Sequence, residues 1–310
     1  SKKCLRKRFQ IIEINKRRWE VNNPEYGIHT CAMQVELNIR NWTAEKIDKQ
    51  ASKEVDESKG TKVPVNKVHK QLLSGTTLLH DMIKYSAKVR SWNIDNTLPW
   101  SDRGPRLLPV AQFMDHKAEV RKRENVWRGM LEELKANYLD LQVEAAYNSG
   151  ASYNPGDYPS VEALESKFSF ACAYSPVPTK GDFRIDVGQK AVEELQSQFE
   201  SHVEDKVALA MDTAWDRLHK HLNRMSDRLT DKDANGNTQT FRDTLLTDAK
   251  GLVESLKHFN IKNDPTLEEA RRALSATLSN IDDAQDLRDF RDTRLQVKDG
   301  VDKILSKFDF

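Results

Sequence analysis

The chain has 310 residues, 38% hydrophobic and 31% charged, with a formal net charge of +1. That is polar for a compact globule and ordinary for long helices with wet outer faces. No apolar run approaches the length of a bilayer span, and the near-zero net charge excludes strong global attraction to nucleic acid or membrane.

The charge is uneven. Residues 1–32 hold eight Lys/Arg and three Asp/Glu, a local balance of +5, so the remainder carries −4. Ile11, Ile12 and Ile14 are interrupted by Glu13 and followed by Lys16, Arg17 and Arg18, which is not the apolar core of a signal peptide. Residues 1–32 read either as a basic arm, with Arg6, Lys7, Arg8, Lys16, Arg17 and Arg18 as its cations, or as sequence upstream of a native start at Met33. The second is favoured, because Met33 opens the first well-patterned element. Three scattered cysteines, Cys4, Cys31 and Cys172, form neither a disulfide framework nor a zinc spacing, which suits a reducing cytoplasm.

Met33 to Arg40 alternates apolar and polar residues and predicts a half-buried strand. Thr43 is the expected cap of a helix carrying Ile47, Ala51 and Val55. From Val65 to Trp92 the spacing of Val68, Leu72, Leu79, Ile83 and Val89 predicts an amphipathic helix. A proline-rich loop follows. Pro109 then suits the first turn of a long helix reaching Ala146, with an apolar row through Phe113, Val120, Trp127, Leu131, Leu134, Tyr138, Leu141 and Ala145. Residues 168–174 and 182–187 alternate again. With 33–40 they predict one small sheet.

Asp186 and Gln189 have capping-box spacing and are expected to open a second long helix to about Leu229, with Val192, Leu195, Phe199, Val203, Val207, Met211, Leu218, Leu222 and Met225 on its seam. Shorter helices carry Leu245, Leu252 and Leu256, then Leu267, Leu274 and Leu278. The last is expected to carry Leu287, Phe290, Val297, Val301, Ile304 and Phe308 in one row. The fold class is therefore mainly α. Residues 33–310 are expected to form an elongated bundle of two long antiparallel, coiled-coil-like helices with a minor β-element.

Candidate chemistry is sparse. Asp231, Asp233, Asn235 and Gly236 match the first half of a calcium loop, but Arg242 stands where its bidentate carboxylate belongs, so a polar turn is the better reading. His219 and His221 lie on different sides of a helix, and the acids of 282–294 are interleaved with arginines as in a solvated face. No phosphate-binding glycine loop or nucleophile elbow is present, so no catalytic, metal or cofactor-binding residue is named and no cofactor is expected.

The best candidate binding loop contains Arg90, Trp92, Trp100, Arg103 and Arg106, where tryptophan faces could stack on bases and arginines could pair with phosphates. The competing reading, that the tryptophans plug a helix end and the arginines cap termini, is favoured. The candidate interface is the last helix, through Phe290, Val297, Val301, Ile304 and Phe308.

Several pieces in order carry a resemblance: Thr97-Leu-Pro-Trp, Gly104-Pro-Arg-Leu-Leu-Pro, Asp157-Tyr-Pro-Ser, Trp215-Asp-Arg-Leu, Phe241-Arg-Asp-Thr-Leu and Phe259-Asn-Ile-Lys-Asn-Asp-Pro. Together they resemble a family of tailed-phage and prophage proteins carrying a domain-of-unknown-function label, over roughly Met33 to Leu278. The resemblance implies a phage source and the cytoplasm of a bacterial host, and supplies no activity, cofactor or site residue. The resulting expectation is a non-enzymatic phage protein acting through helical contacts with itself or with another phage or host protein. The alternative is a nucleic-acid-binding protein in phage replication, recombination or genome protection. Neither involves a membrane.

Overall fold

The computed structural model describes residues 27–102, 104–179, 189–230 and 240–308. In chain order, α1 (Ile28–Cys31) leads into β1 (Ala32–Arg40), then β2 (Glu45–Asp48), α2 (Lys49–Ser58), β3 (Val68–Gln71) and α3 (Leu78–Asp95). Next come β4 (Arg106–Pro109), α4 (Phe113–Ser149), α5 (Val161–Leu164) and β5 (Ser169–Pro176). The C-terminal part is helical: α6 (Gln189–Arg228), α7 (Thr244–Phe259), α8 (Pro265–Leu278), α9 (Ala284–Asp289) and α10 (Arg291–Lys307). The protein is thus mainly helical with a little sheet. Its two long helices have 37 and 40 residues, about 55 and 60 Å at the usual rise. No described helix is long and apolar enough to cross a membrane.

The three-stranded sheet has the order β4–β1–β5. β1 and β4 are antiparallel, in register from Ala32 opposite Pro109 to Val35 opposite Arg106. A separate antiparallel pair, β2–β3, runs from Glu45 opposite Gln71 to Asp48 opposite Val68.

Several expected boundaries move. The helix expected from Thr43 starts at Lys49, because Ile47 lies in β2 and the Asp48 side chain accepts from the Ala51 N–H as its cap. The helix expected from Val65 starts at Leu78, because Val68–Gln71 pairs with β2. Pro109 closes β4 rather than opening α4, which is entered through a 3₁₀ turn at Val110–Gln112. The strand expected at 182–187, the Asp186 cap and the calcium-like loop at 231–236 lie outside the described residues, as does the basic arm. Ala32, assigned from sequence to the extension, is 2% exposed and paired in β1.

The chain divides into two compact units. Unit 1 comprises residues up to Glu36, Ile94–Met114 and Tyr174–Phe310. Its helix α6 packs on α7 and α10, and α8 packs on both of those as well. Leu218, Leu222, Leu256, Leu267, Leu274 and Val301 are each 0% exposed in this largely aliphatic core. Asp264 starts α8 by accepting from Thr266 N, and its other oxygen takes the Trp215 indole N–H at 3.2 Å. Gly300 is demanded by packing: a Cβ there would lie 2.7 Å from Thr277 Cγ2.

Unit 2 comprises Leu37–Asn93 and Asp115–Ala173. Its core is built on the inner row of α4, where Val120, Trp127, Leu131, Leu134, Tyr138 and Ala145 are all buried, as their 3–4 spacing predicts. This core is aromatic and threaded with polar atoms. The Trp127 indole N–H donates to Asn41 Oδ1 and Ser86 Oγ, both at 3.2 Å. Tyr138 donates to the Pro159 carbonyl and Tyr158 to that of Leu72. Asp157, its side chain 5% exposed, is gripped by Lys46 at 2.5 Å and Lys70 at 2.6 Å, which ties the β2–β3 pair to the segment before α5. Those two ammoniums hold its carboxyl below the usual range.

Candidate functional site

The sequence-derived candidates are mostly consumed by the fold. Val297, Val301, Ile304 and Phe308 are 3%, 0%, 4% and 7% exposed within unit 1. The expected interface is therefore corrected: these side chains already have their partners inside the chain, on α6 and α8. Phe290 does not continue their row. It is extended (φ −112°, ψ 98°), separates α9 from α10 and is 61% exposed. The neighbouring acids act as caps and ties. Asp283 forms a capping box with Asp286, and Arg288 pairs with Asp243 and donates to the Phe241 carbonyl.

The tryptophan–arginine loop divides between the units. In unit 2, Arg90 donates to the Ile39 carbonyl at 2.5 Å. Trp92 is half-buried, stacked on His116 at 4.9 Å with the Arg123 guanidinium 4.3 Å from its ring centroid. His116 is 4% exposed and its Nε2 is 3.0 Å from Asn93 Oδ1, and burial pushes its pKa down to about 4. In unit 1, Trp100 is 5% exposed and belongs to the core, with the Lys206 ammonium 5.1 Å from its ring. A buried indole offers no face to a base. Arg106 donates to Thr97 Oγ1 at 2.6 Å and to the Thr97 carbonyl at 3.2 Å. Arg103 lies outside the described residues.

Two surfaces not singled out from sequence remain. The first is a cleft of 680 Å³ in unit 1 between α6 and α7. Arg217, Lys220 and Arg224, spaced i, i+3, i+7, place three cations on the α6 wall. Arg217 is fixed by the carbonyls of Asp95, Ile94 and Thr97 at 3.0, 2.8 and 2.7 Å, and its guanidinium lies 5.0 Å from the Phe259 ring centroid. Burial lowers its pKa, and the nearby Arg106 charge adds to the effect. Arg224 donates to His221 Nδ1 at 2.9 Å, which makes that nitrogen an acceptor and the imidazole neutral. Burial and the Arg224 charge both depress the His221 pKa. Opposite, α7 presents Thr247, Gly251 and Ser255. The basic spacing was visible in the sequence, but the α7 wall that turns it into a cleft was not.

The second surface is the outer side of α4 in unit 2. Val126, Leu139, Val143 and Tyr147 are 49%, 61%, 71% and 89% exposed. With Ala136, also exposed, they lie on one side of the helix, away from the inner row. Glu133 and Asp140 stand exposed along one flank. The signal was present in the sequence as apolar residues left over once the inner stripe was assigned.

Among the described residues no group of three or more His, Cys, Asp or Glu is placed to hold a metal ion. No protein-family model matches the chain, and no curated relative and no solved structure matches it either.

Proposed function

We propose that this is a phage protein of the bacterial cytoplasm that works by helical contact with another protein rather than by catalysis. The observation that carries the reading is the second apolar row of α4. Leu139, Val143 and Tyr147 project three large apolar side chains into solvent from the last turns of a helix already anchored by its inner row. Covering a Val or Leu side chain is worth roughly 1.5–3 kcal/mol. Such a row stabilises a complex only when a partner helix buries all of it at once, which is the coiled-coil-like mode expected from the sequence, transferred from the last helix to α4. The flanking Glu133 and Asp140 favour a partner helix with a basic edge.

The test compares the full chain with its Leu139→Glu/Val143→Glu variant by sedimentation velocity, alone and after mixing with infected-cell lysate. The wild type should enter a heavier species that the variant does not form. The same heavier species with both proteins, or with neither, would sink the reading.

A further inference from the structure

We propose that the α6–α7 cleft of unit 1 is a binding site for a small phosphate-bearing molecule of nucleotide size. The guanidinium at its floor makes no ion pair, and the Asp95 carboxylate that also lines the cleft offsets only part of its charge. Arg217 is held by three neutral carbonyls, which fix the guanidinium without neutralising it. Arg106 reaches two of the same carbonyls, those of Ile94 and Thr97. Among the described residues neither arginine makes an ion pair, and of the two it is Arg217 that lines the cleft. A guanidinium has five N–H donors, and three hydrogen bonds leave capacity for a ligand oxygen.

The remaining cations are available by exchange. Lys220 is 77% exposed and meets Asp216 only at 3.5 Å, and the Arg224–Asp248 pair, at 3.3 Å, is half exposed on both sides. Exposed pairs of this kind contribute little, so an incoming phosphate can take either cation. The facing wall suits the same ligand. Thr247 and Ser255 supply hydroxyls, and Gly251 between them leaves the space open, since a Cβ there would meet nothing within 4 Å. The Phe259 ring lies beneath Arg217, giving one end of the cleft an apolar floor. Its 680 Å³ is the size of a small-molecule pocket, and its lining is mostly polar, with Leu252 and Phe259 as the apolar part.

The test is calorimetric titration of the full chain with pyrophosphate, with ATP and with a twenty-residue oligothymidylate. Three proteins are compared: wild type, Lys220→Gln/Arg224→Gln and Gly251→Phe. Lys220 and Arg224 are exposed, the Gln amide can still donate to the buried His221 in place of Arg224, and Gly251→Phe fills open space, so melting temperatures are measured on all three proteins to report folding independently. The expected result is saturable binding of ATP and pyrophosphate, at least tenfold weaker in the charge variant. Gly251→Phe should abolish ATP binding. Absence of binding to either ligand, or binding that neither variant changes, would overturn the site. Tighter binding of the oligothymidylate than of ATP, weakened by the same variants, would also overturn it and assign the cations to a nucleic-acid backbone.

Discussion

The two long helices do opposite things with the same device. In unit 2, α4 buries an inner row in which Trp127 and Tyr138 carry polar atoms that must be paired, and leaves an apolar row facing outward. In unit 1, α6 buries Ala210, Met211, Ala214, Leu218, Leu222 and Met225, none of which needs a hydrogen bond from its side chain, and turns cations outward. An aliphatic core tolerates small shifts because its forces are non-directional. A core closed by hydrogen bonds specifies one arrangement and pays heavily for a lost partner. Unit 2 should therefore be the more brittle to polar substitution, and unit 1 the more graded.

The sharpest way to break this contrast is at Trp127. Its replacement by Ala removes a 1%-exposed ring and the indole donor to Asn41 and Ser86, so a loss of about 3–5 kcal/mol is expected in urea unfolding followed by Trp fluorescence and circular dichroism. Trp127→Phe keeps most of the volume and should still cost about 1–3 kcal/mol, because Asn41 Oδ1 and Ser86 Oγ lose the indole N–H they share and keep only the Ser86 hydroxyl between them. In unit 1, Leu222→Ala should cost about 2–5 kcal/mol, whereas Leu222→Met should cost under about 1.5 kcal/mol. If Leu222→Met cost more than Trp127→Phe, the contrast between the two cores would fail.

His116 gives the pH arm. Burial holds its folded pKa near 4, below the ordinary 6.5 that it recovers on unfolding. As pH falls below 6.5 the unfolded chain takes up a proton that the folded chain refuses, so stability declines and levels off below about pH 4. The full drop is about 3 kcal/mol. Denaturant melts at pH 7, 5.5 and 4 should show this decline, and His116→Gln should flatten that part of it. An unchanged slope in the variant would mean that the imidazole is not the group responsible.

The smallest effects concern glycines inside helices. Gly129 on the outer side of α4 has open space where a Cβ would stand, with nothing within 4 Å, so Gly129→Ala should stabilise by about 0.5–1 kcal/mol. Gly300→Ala, facing Thr277, should instead destabilise by about 1–3 kcal/mol. Thermal melts that moved both variants in the same direction would show that helix propensity, not space, governs these positions.

Much of the helical content was legible because its signal is local and repeated. The rows through Val120, Trp127, Leu131 and Tyr138, and through Met211, Leu218 and Leu222, lie at 3–4 spacing and are buried as read. The four-residue strands β2, β3 and β4 were missed because four residues carry no period, and only their pairing partners make them strands. The break at Phe290 was missed for a related reason. The apolar spacing runs through it, and what interrupts the helix is a single extended residue that no residue type there announces.

The candidate sites divide along the same line. The sequence by itself determined where helices lie, which of their faces are apolar and that α6 carries cations at i, i+3 and i+7, because side-chain direction on a helix follows from residue number alone. It could not determine which apolar face finds a partner inside the chain. The last helix and α4's outer side look equally exposed on paper. Tertiary packing covered Val297, Val301 and Ile304 and left Leu139, Val143 and Tyr147 open. In the same way, Trp100 became core, and Arg217 became the floor of a cleft once α7 stood opposite and the Ile94–Thr97 carbonyls fixed it. Burial is a property of two surfaces meeting, and residues far apart in the chain decide it.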